Sequence, residues 1–357
     1  MAYTNIDDPS AHFQTALYTG NAGNQTITND GNSDLQPDVV WIKSRTFTSV
    51  HLLQDSTRGD NGTVYYYLQP DSTAAEAVQT DGDGITSLNS DGFSLGFGNS
   101  NSWNQSGNTY VGWQWKANGG TTSSNTDGNT TTTVQANQDA GFSIVTYTGT
   151  GSSSQTMGHG LGVTPNIVLT KNRSGTGRAW SFNGNFGGLI YGTNKLILNQ
   201  TSALTADTND VTAASSTTFT GGGSNGVNAN GVTYVAYCFA EKQGYSKFGS
   251  YVGNGNTNGP FVYLGFKPAF VMIKKSSSTG QWLLFDNARD PSNKVFHQLR
   301  IITAAETTTT HDIDFLSNGF KIRDTVSNDN GSGNTFIYMA FAENPFTTST
   351  GIPTTAR

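Results

Sequence analysis

Apolar residues along this chain alternate with polar or small ones in short runs, and one such run is written three times. Asn108-Thr109-Tyr110-Val111-Gly112-Trp113-Gln114-Trp115-Lys116-Ala117 returns as Asn230-Gly231-Val232-Thr233-Tyr234-Val235-Ala236-Tyr237-Cys238-Phe239-Ala240-Glu241. It returns again as Asn334-Thr335-Phe336-Ile337-Tyr338-Met339-Ala340-Phe341-Ala342-Glu343. Because successive side chains of a strand point to opposite faces, each copy splits into two columns. Val111, Trp113, Trp115 and their counterparts Val235, Tyr237, Phe239 and Ile337, Met339, Phe341 form a core face. The other column (Tyr110, Gly112, Gln114; Tyr234, Ala236, Cys238; Phe336, Tyr338, Ala340) is mostly small and lets another layer come close. The pattern predicts a strand inside a sheet.

Further markers recur in the same order. Leu17-Tyr18-Thr19-Gly20 matches Thr146-Tyr147-Thr148-Gly149 and Ser250-Tyr251-Val252-Gly253, each running into a Gly/Asn-rich turn. Pro37 to Arg45 matches Pro165 to Arg173 and Pro268 to Lys275, a strand that proline opens without interrupting. Leu52-Leu53-Gln54-Asp55-Ser56-Thr57-Arg58 matches Leu283-Leu284-Phe285-Asp286-Asn287-Ala288-Arg289, while the middle copy keeps only an aromatic, Trp180. Asp71 to Glu76 is echoed by Thr303-Ala304-Ala305-Glu306 and weakly by Asn199 to Ala203, and Asp91-Gly92-Phe93 by Asn318-Gly319-Phe320. A constant order means tandem duplication. Units of roughly 100 residues with many short strands and no helical pattern predict an all-β chain of three tandem β-sandwich repeats, lectin-like or jelly-roll-like. A propeller fits less well, since its blades repeat at about 40–50 residues. The expected divisions are an arm at 1–13, repeat 1 at 14–117, a Gly/Ser/Thr/Asn linker at 118–140, repeat 2 at 141–243, repeat 3 at 244–346 and a tail at 347–357. With so little chain between them, repeats 2 and 3 should pack together closely.

Composition sharpens this picture. Only 12% of the 357 residues are charged, and Gly, Ser, Thr and Asn take the difference, which favours strands and turns and nearly excludes helix. A net charge of −6 gives no electrostatic footprint for nucleic acid or anionic lipid. Cys238 is the single cysteine, so an intrachain disulfide is impossible, and its place in the repeated strand marks it as a packing residue. The first residues lack a basic and apolar signal, and no stretch approaches the ~20 apolar residues needed to span a bilayer. The expectation is a soluble product made in a host cytoplasm, with no membrane insertion.

Candidate chemistry is sparse. Glu76 aligns with Glu306 and Glu241 with Glu343, so all four glutamates belong to the repeat pattern. Asp55/Arg58 and Asp286/Arg289 are placed to pin turns by charge-assisted hydrogen bonds. His51 shares a column with Trp180 and Trp282 and reads as a packed ring. His159 sits in a glycine-rich turn, and His12, His297 and His311 have no neighbour at metal-ligand spacing, so neither a metal nor another cofactor is expected. Asp81-Gly82-Asp83-Gly84 is acidic enough for a calcium loop, but its twelfth position is Gly92, not glutamate. Gly96-Phe97-Gly98 and Gly221-Gly222-Gly223 precede no helix and are not phosphate loops. Neither a catalytic residue nor an enzymatic activity is expected. Trp103 and Asn104, in a polar turn, and Tyr66, within Tyr65-Tyr66-Tyr67, are candidates to stack on and hydrogen-bond a glycan. A subunit contact explains Trp103 equally well.

The markers together, from Pro-x-x-Val-x-x-Lys through Leu-Leu-x-Asp-x-x-Arg and Asp/Asn-Gly-Phe to Thr-Tyr-Val-Ala-Tyr-Cys-Phe-Ala-Glu, resemble a repeat family of bacteriophage structural proteins. These are tail-fibre-like virion proteins of phages of marine bacteria and cyanobacteria. Tyr245-Ser246-Lys247-Phe248-Gly249-Ser250-Tyr251 and Phe341-Ala342-Glu343-Asn344-Pro345-Phe346 carry the resemblance most strongly. It implies a tail fibre or virion-surface component that contributes to host attachment, a homo-oligomer with the trimer favoured, and other virion proteins as partners. The alternatives are a capsid decoration or head spike protein, a lectin-type module for host surface glycan, or a depolymerase.

Overall fold

Short alternating runs rich in aromatic and β-branched residues, cut by Gly, Asn and Ser, have only one way to satisfy their backbone groups, and that is sheet pairing. The computed structural model describes residues 3–59, 65–79, 82–97, 102–301, 305–308 and 311–354. Apart from one turn of 3-10 helix at Pro9–Ala11, its elements are strands, almost all antiparallel. No helix among the described residues is long and apolar enough to cross a membrane. Of the positions singled out above, Asp81, Gly98, Thr303, Ala304 and the side chain of Tyr65 lie outside the described residues.

Each repeat supplies a larger and a smaller sheet. In the first, Phe13–Thr19, Thr109–Trp115, Val39–Ser44 and Leu52–Asp55 lie side by side, and Gln25–Ile27, Phe93–Gly96 and Gly84–Leu88 form the facing layer. The second repeats this with Phe142–Thr148, Thr233–Phe239, Ile167–Asn172 and Ser181–Gly184 over Gln155–Gly158, Thr218–Gly221 and Val211–Ala214. The third does so with Ser246–Val252, Thr335–Pro345, Phe266–Lys275 and Trp282–Asp286 over Phe261–Tyr263, Gly319–Ile322 and Ile313–Leu316. The thrice-written strand is thus interior in every copy. Pro37 and Pro165 precede their strands, whereas Pro268 lies inside Phe266–Lys275. The pairing register shifts on both sides of Pro268, so a bulge absorbs its missing donor.

The two columns serve two different cores. The small-residue column faces the facing sheet of its own repeat. A Cβ on Gly112 would sit 3.1 Å from the Phe93 ring, and Tyr234, Ala236 and Cys238 join the second repeat's internal cluster. In every repeat a tyrosine of the first strand stacks on the aromatic that opens this column: Tyr18 on Tyr110 at 4.9 Å, Tyr147 on Tyr234 at 5.3 Å and Tyr251 on Phe336 at 5.2 Å. The large column, from Val111 to Phe341, belongs to one core common to all three repeats. Phe13, Trp115, Phe270 and Phe341 pack ring to ring there. An apolar void of about 40 Å³ remains where Trp41, Tyr237 and Met339 converge. The sequence predicts a buried face; the structure shows that this face is the contact between repeats.

The repeats close into a ring, and equivalent bonds recur at its three seams. The backbone N–H of Glu76 donates to Arg173 O at 2.8 Å, that of Leu204 to Ser276 O at 2.9 Å, and that of Glu306 to Arg45 O at 2.9 Å. In the reverse sense, Trp180 Nε1 donates to Gln69 O at 2.9 Å and Trp282 Nε1 to Ile197 O at 3.0 Å. His51 Nε2 meets Arg300 O at 3.2 Å. Repeats 2 and 3 pack together closely, as expected, and so do the other two pairs.

Three segments need comment. The stretch at 118–140, expected as a linker, contains strands Ser123–Asn125 and Thr132–Asn137, which extend the edge of the second repeat's larger sheet. The buried positions of the longer strand are Thr132, Val134 and Gln135, of which only Val134 is apolar, so no hydrophobic run announces it. The N-terminal arm lies over the junction of repeats 2 and 3, where Thr4 Oγ1 donates to Gln243 O at 2.7 Å and Tyr3 OH to Gly265 O at 2.7 Å. The tail reaches the arm through Ser349, whose hydroxyl and N–H both donate to Asp7.

Because all three repeats contribute to one apolar core, heat should unfold the chain in a single transition with matching calorimetric and van't Hoff enthalpies. Three separate transitions would contradict the shared core.

Candidate functional site

The charged residues picked out in sequence assemble at two seams. Asp55 Oδ1 accepts the Arg58 N–H at 2.9 Å and its Oδ2 accepts Arg58 Nε at 2.6 Å, pinning the turn as expected. Arg58 then bonds Glu76 at 2.8 Å, and Glu76 holds Arg173 of repeat 2 at 2.8 Å. The Tyr237 hydroxyl, also from repeat 2, donates to Asp55 Oδ2 at 2.5 Å. At the seam between repeats 3 and 1 the same construction uses Asp286, Arg289 and Glu306 with Arg45, and Trp113 Nε1 donates to Asp286 Oδ2 at 2.9 Å. Strand register puts Gly184 at the aspartate position of repeat 2 and Met339 opposite it. At that seam Leu204 and Ser276 stand where the other two carry glutamate and arginine. Gly187 occupies the Arg58 position, where a Cβ would come within 2.9 Å of Ile337. The polar residues vanish together, because any one left behind would be a buried charge without its partner.

The remaining residues considered for chemistry are also architectural. Burial pushes the Cys238 thiol up to about 12, against thiolate formation. His51 Nδ1 accepts from Trp41 Nε1 at 2.8 Å, so the proton sits on Nε2, and burial followed by the charge of Lys43 depresses its basicity strongly. Glu241 accepts the Phe248 N–H at 2.7 Å, and Glu343 pairs with Lys267 at 2.8 Å.

Two of the three glycan candidates, Trp103 and Asn104, are corrected by the structure. Trp103 is 1% exposed. It lies edge-on to Tyr67 at 5.2 Å, with Nε1 donating to Val50 O at 3.2 Å. No sugar face can reach it. Asn104 is fully buried as well: its Oδ1 accepts from Asn21 N at 3.1 Å and its Nδ2 donates to Gly23 O at 2.6 Å. Asn228 and Asn330 make equivalent bonds to Thr150 and Ser152 and to Asn254 and Asn256. The signal was present in the sequence as Asn-x-x-Gly-x-Thr before each closing aromatic. Its Gly107, Gly231 and Gly333 have φ of 79°, 73° and 72°, where a side chain would be strained. Tyr66 is half-buried in the short Tyr65–Tyr67 hairpin strand, far in role from the other two.

Two features of repeat 3 break the repeat. By register, Val262 corresponds to Met157 and Ile27, so Phe261 and Tyr263 replace Thr26 and Thr28 of repeat 1 and Thr156 and Gly158 of repeat 2. Phe261 and Tyr263 are 46% and 50% exposed on an edge strand, with the Lys247 ammonium 5.2 Å from the Tyr263 ring centre. The second feature is a buried group. His311, expected to lack a ligand-spaced neighbour, meets two carboxylates brought in by the loop after Gly319–Ile322. Its Nδ1 lies 2.7 Å from Asp329 Oδ2, and Asp324 completes a set whose donor atoms all lie within 4.8 Å of one another. Burial, and then the charge of Asp329, push Asp324 up to about 6.

Three equivalent lysines, Lys43, Lys171 and Lys274, are also buried, each aiming its ammonium at backbone carbonyls. Burial lowers Lys274 to about 7 and the other two to about 8, against 10.5 for a free amine. The unfolded chain therefore holds more protons than the folded one between pH 7 and 10, so this group's contribution makes stability rise with pH across that window. Lys274→Met should flatten the rise in urea midpoint between pH 7 and 10, and an unchanged slope would contradict it. Asp286→Asn, which weakens the fully buried Arg289 pair and a seam bond at once, should cost about 3–5 kcal/mol. Glu343→Gln, in a partly exposed pair, should cost less than about 1 kcal/mol in the same assay.

No curated protein and no solved structure matches the chain. A family profile matches residues 8–345, across all three repeats, and the chain belongs to that family, described as a domain of unknown function (DUF7483).

Proposed function

We propose that the protein is a structural component of a phage particle, in the tail fibre or at the virion surface, and contributes to host attachment. The observation that carries this reading is the ring: the repeated charged and aromatic residues are taken up in holding three sandwiches to one another. That is what a rigid, charge-poor building block requires. Its partners are other virion proteins, and its pseudo-threefold body suits a threefold axis. A single copy can meet such an axis, so the trimer expected from sequence is one form of self-association and a lone chain on the axis is another.

Gold-labelled antibody against the protein should decorate purified particles, at the tail for a fibre and on the head for a capsid decoration protein. Particles without label would overturn the proposal. Light scattering on the purified chain separates the trimer from the single copy.

A second reading, a module that binds host surface glycan, is favoured by Phe261 and Tyr263, exposed where repeats 1 and 2 carry threonine or glycine. Adjacent rings on one strand face can stack on the apolar faces of a sugar chain, and Lys247 can hold an acidic substituent. A glycan array should then give a signal that falls at least about tenfold in Tyr263→Ala, equivalent to about 1.4 kcal/mol. A blank array removes this reading, and release of reducing sugar from host polysaccharide would replace it with a depolymerase.

A further inference from the structure

We propose that His311, Asp324 and Asp329 form a site for a divalent first-row transition-metal cation, Zn²⁺ foremost, inside repeat 3. The three come from two neighbouring segments, the approach to strand Ile313–Leu316 and the loop that leads to the last strand, and all are buried.

Comparison within the chain shows that the sandwich forms without this combination of groups, although the register also puts the buried Asp83 of repeat 1 at the His311 position. A tyrosine hydroxyl of the first strand donates to the carbonyl of Trp103 in repeat 1, of Val227 in repeat 2 and of Asp329 in repeat 3, at 2.7, 2.8 and 2.6 Å. Equivalent positions thus carry two apolar side chains and one aspartate. Likewise the register that aligns Ile313 with Val211 places His311 where repeat 2 has Asn209. A buried carboxylate facing a second one is costly, and repeats 1 and 2 fill the Asp329 position with an apolar side chain, so the fold itself gives no reason for the aspartate.

The polar atoms here are also incompletely satisfied. His311 Nε2 and Asp329 Oδ1 are buried and have no hydrogen-bond partner among the described residues, although their residues are 1% and 0% exposed. The nearby Lys275 ammonium donates to Ser327 Oγ at 2.8 Å and makes no hydrogen bond to Asp329 Oδ1. A cation seated among the three donor groups supplies a partner for Asp329 Oδ1. One imidazole and two carboxylates suit zinc and its neighbours, whereas calcium wants six to eight oxygens. Both Asp324 oxygens already accept backbone N–H groups, from Asp312 at 2.8 Å and Val326 at 2.7 Å, which fixes that ligand in place. On binding, His311 takes part as neutral imidazole.

The test uses tag-free full-length protein stripped with EDTA and titrated calorimetrically with ZnCl₂, with MnCl₂ and CaCl₂ as comparison probes. One equivalent of Zn²⁺ should bind, Ca²⁺ should bind far more weakly, and Zn²⁺ should raise the melting temperature. The double variant His311→Asn/Asp329→Val installs the residues of repeat 2, and should keep the fold by circular dichroism while weakening Zn²⁺ binding by about 100-fold or more. Asp329→Asn, nearly isosteric, gives the same readout if the double variant does not fold. Wild-type protein that binds no Zn²⁺, Ca²⁺ that binds as tightly as Zn²⁺, or a folded variant that binds it undiminished would each overturn the site.

Discussion

The structure depends on one constraint: three strands must present large apolar side chains to a single shared core. Val111, Trp113 and Trp115 cannot be buried by their own sandwich, because the opposite face of the same strand already fills it. Only the matching faces of the other two repeats can cover them. Each such side chain buried contributes on the order of 1.5–3 kcal/mol, so the drive to close the ring exceeds anything the seam bonds add. Tandem order in the chain therefore becomes cyclic order in space.

Polar bonds then decide how the faces meet. A backbone donor from each repeat and a ring donor from the next run in opposite senses across every seam, fixing rotation as well as distance. The ion clusters around Arg58 and Arg289 are confined to two seams. In the third, Gly187 and Leu204 allow closer apolar contact, in keeping with the small net value of buried ion pairs against well-packed hydrophobic groups. The seams thus solve one geometric problem by two chemistries.

Much of this was legible in the sequence, and the failures have physical causes. The period-two columns marked the interior strand, its tight and bulky faces, and Cys238 as packing, because each of these is written in consecutive residues. The role of Asp55 and Arg58 in their turn was equally local. Their reach to Arg173 and Tyr237 was not, since a partner more than 100 residues away leaves no mark on either stretch. Trp103 was misjudged because its neighbours in sequence are polar, while its burial comes from Tyr67 and Val50. Residues 118–140 hid two strands because an edge strand with one wet face needs few apolar residues. His311 and the carboxylates meet only through a loop, so their spacing along the chain carried no ligand signature.

A ring of three separate identical chains must display every surface feature three times. Here the duplication lies within one chain, and repeat 3 alone carries the exposed Phe261 and Tyr263 and the buried His311 group. The body is threefold in its core but marked on one side only, like a dial with a single numeral. Whatever docks through that mark does so once per molecule and in one of three rotations, so a symmetric frame can deliver a directional, one-to-one contact.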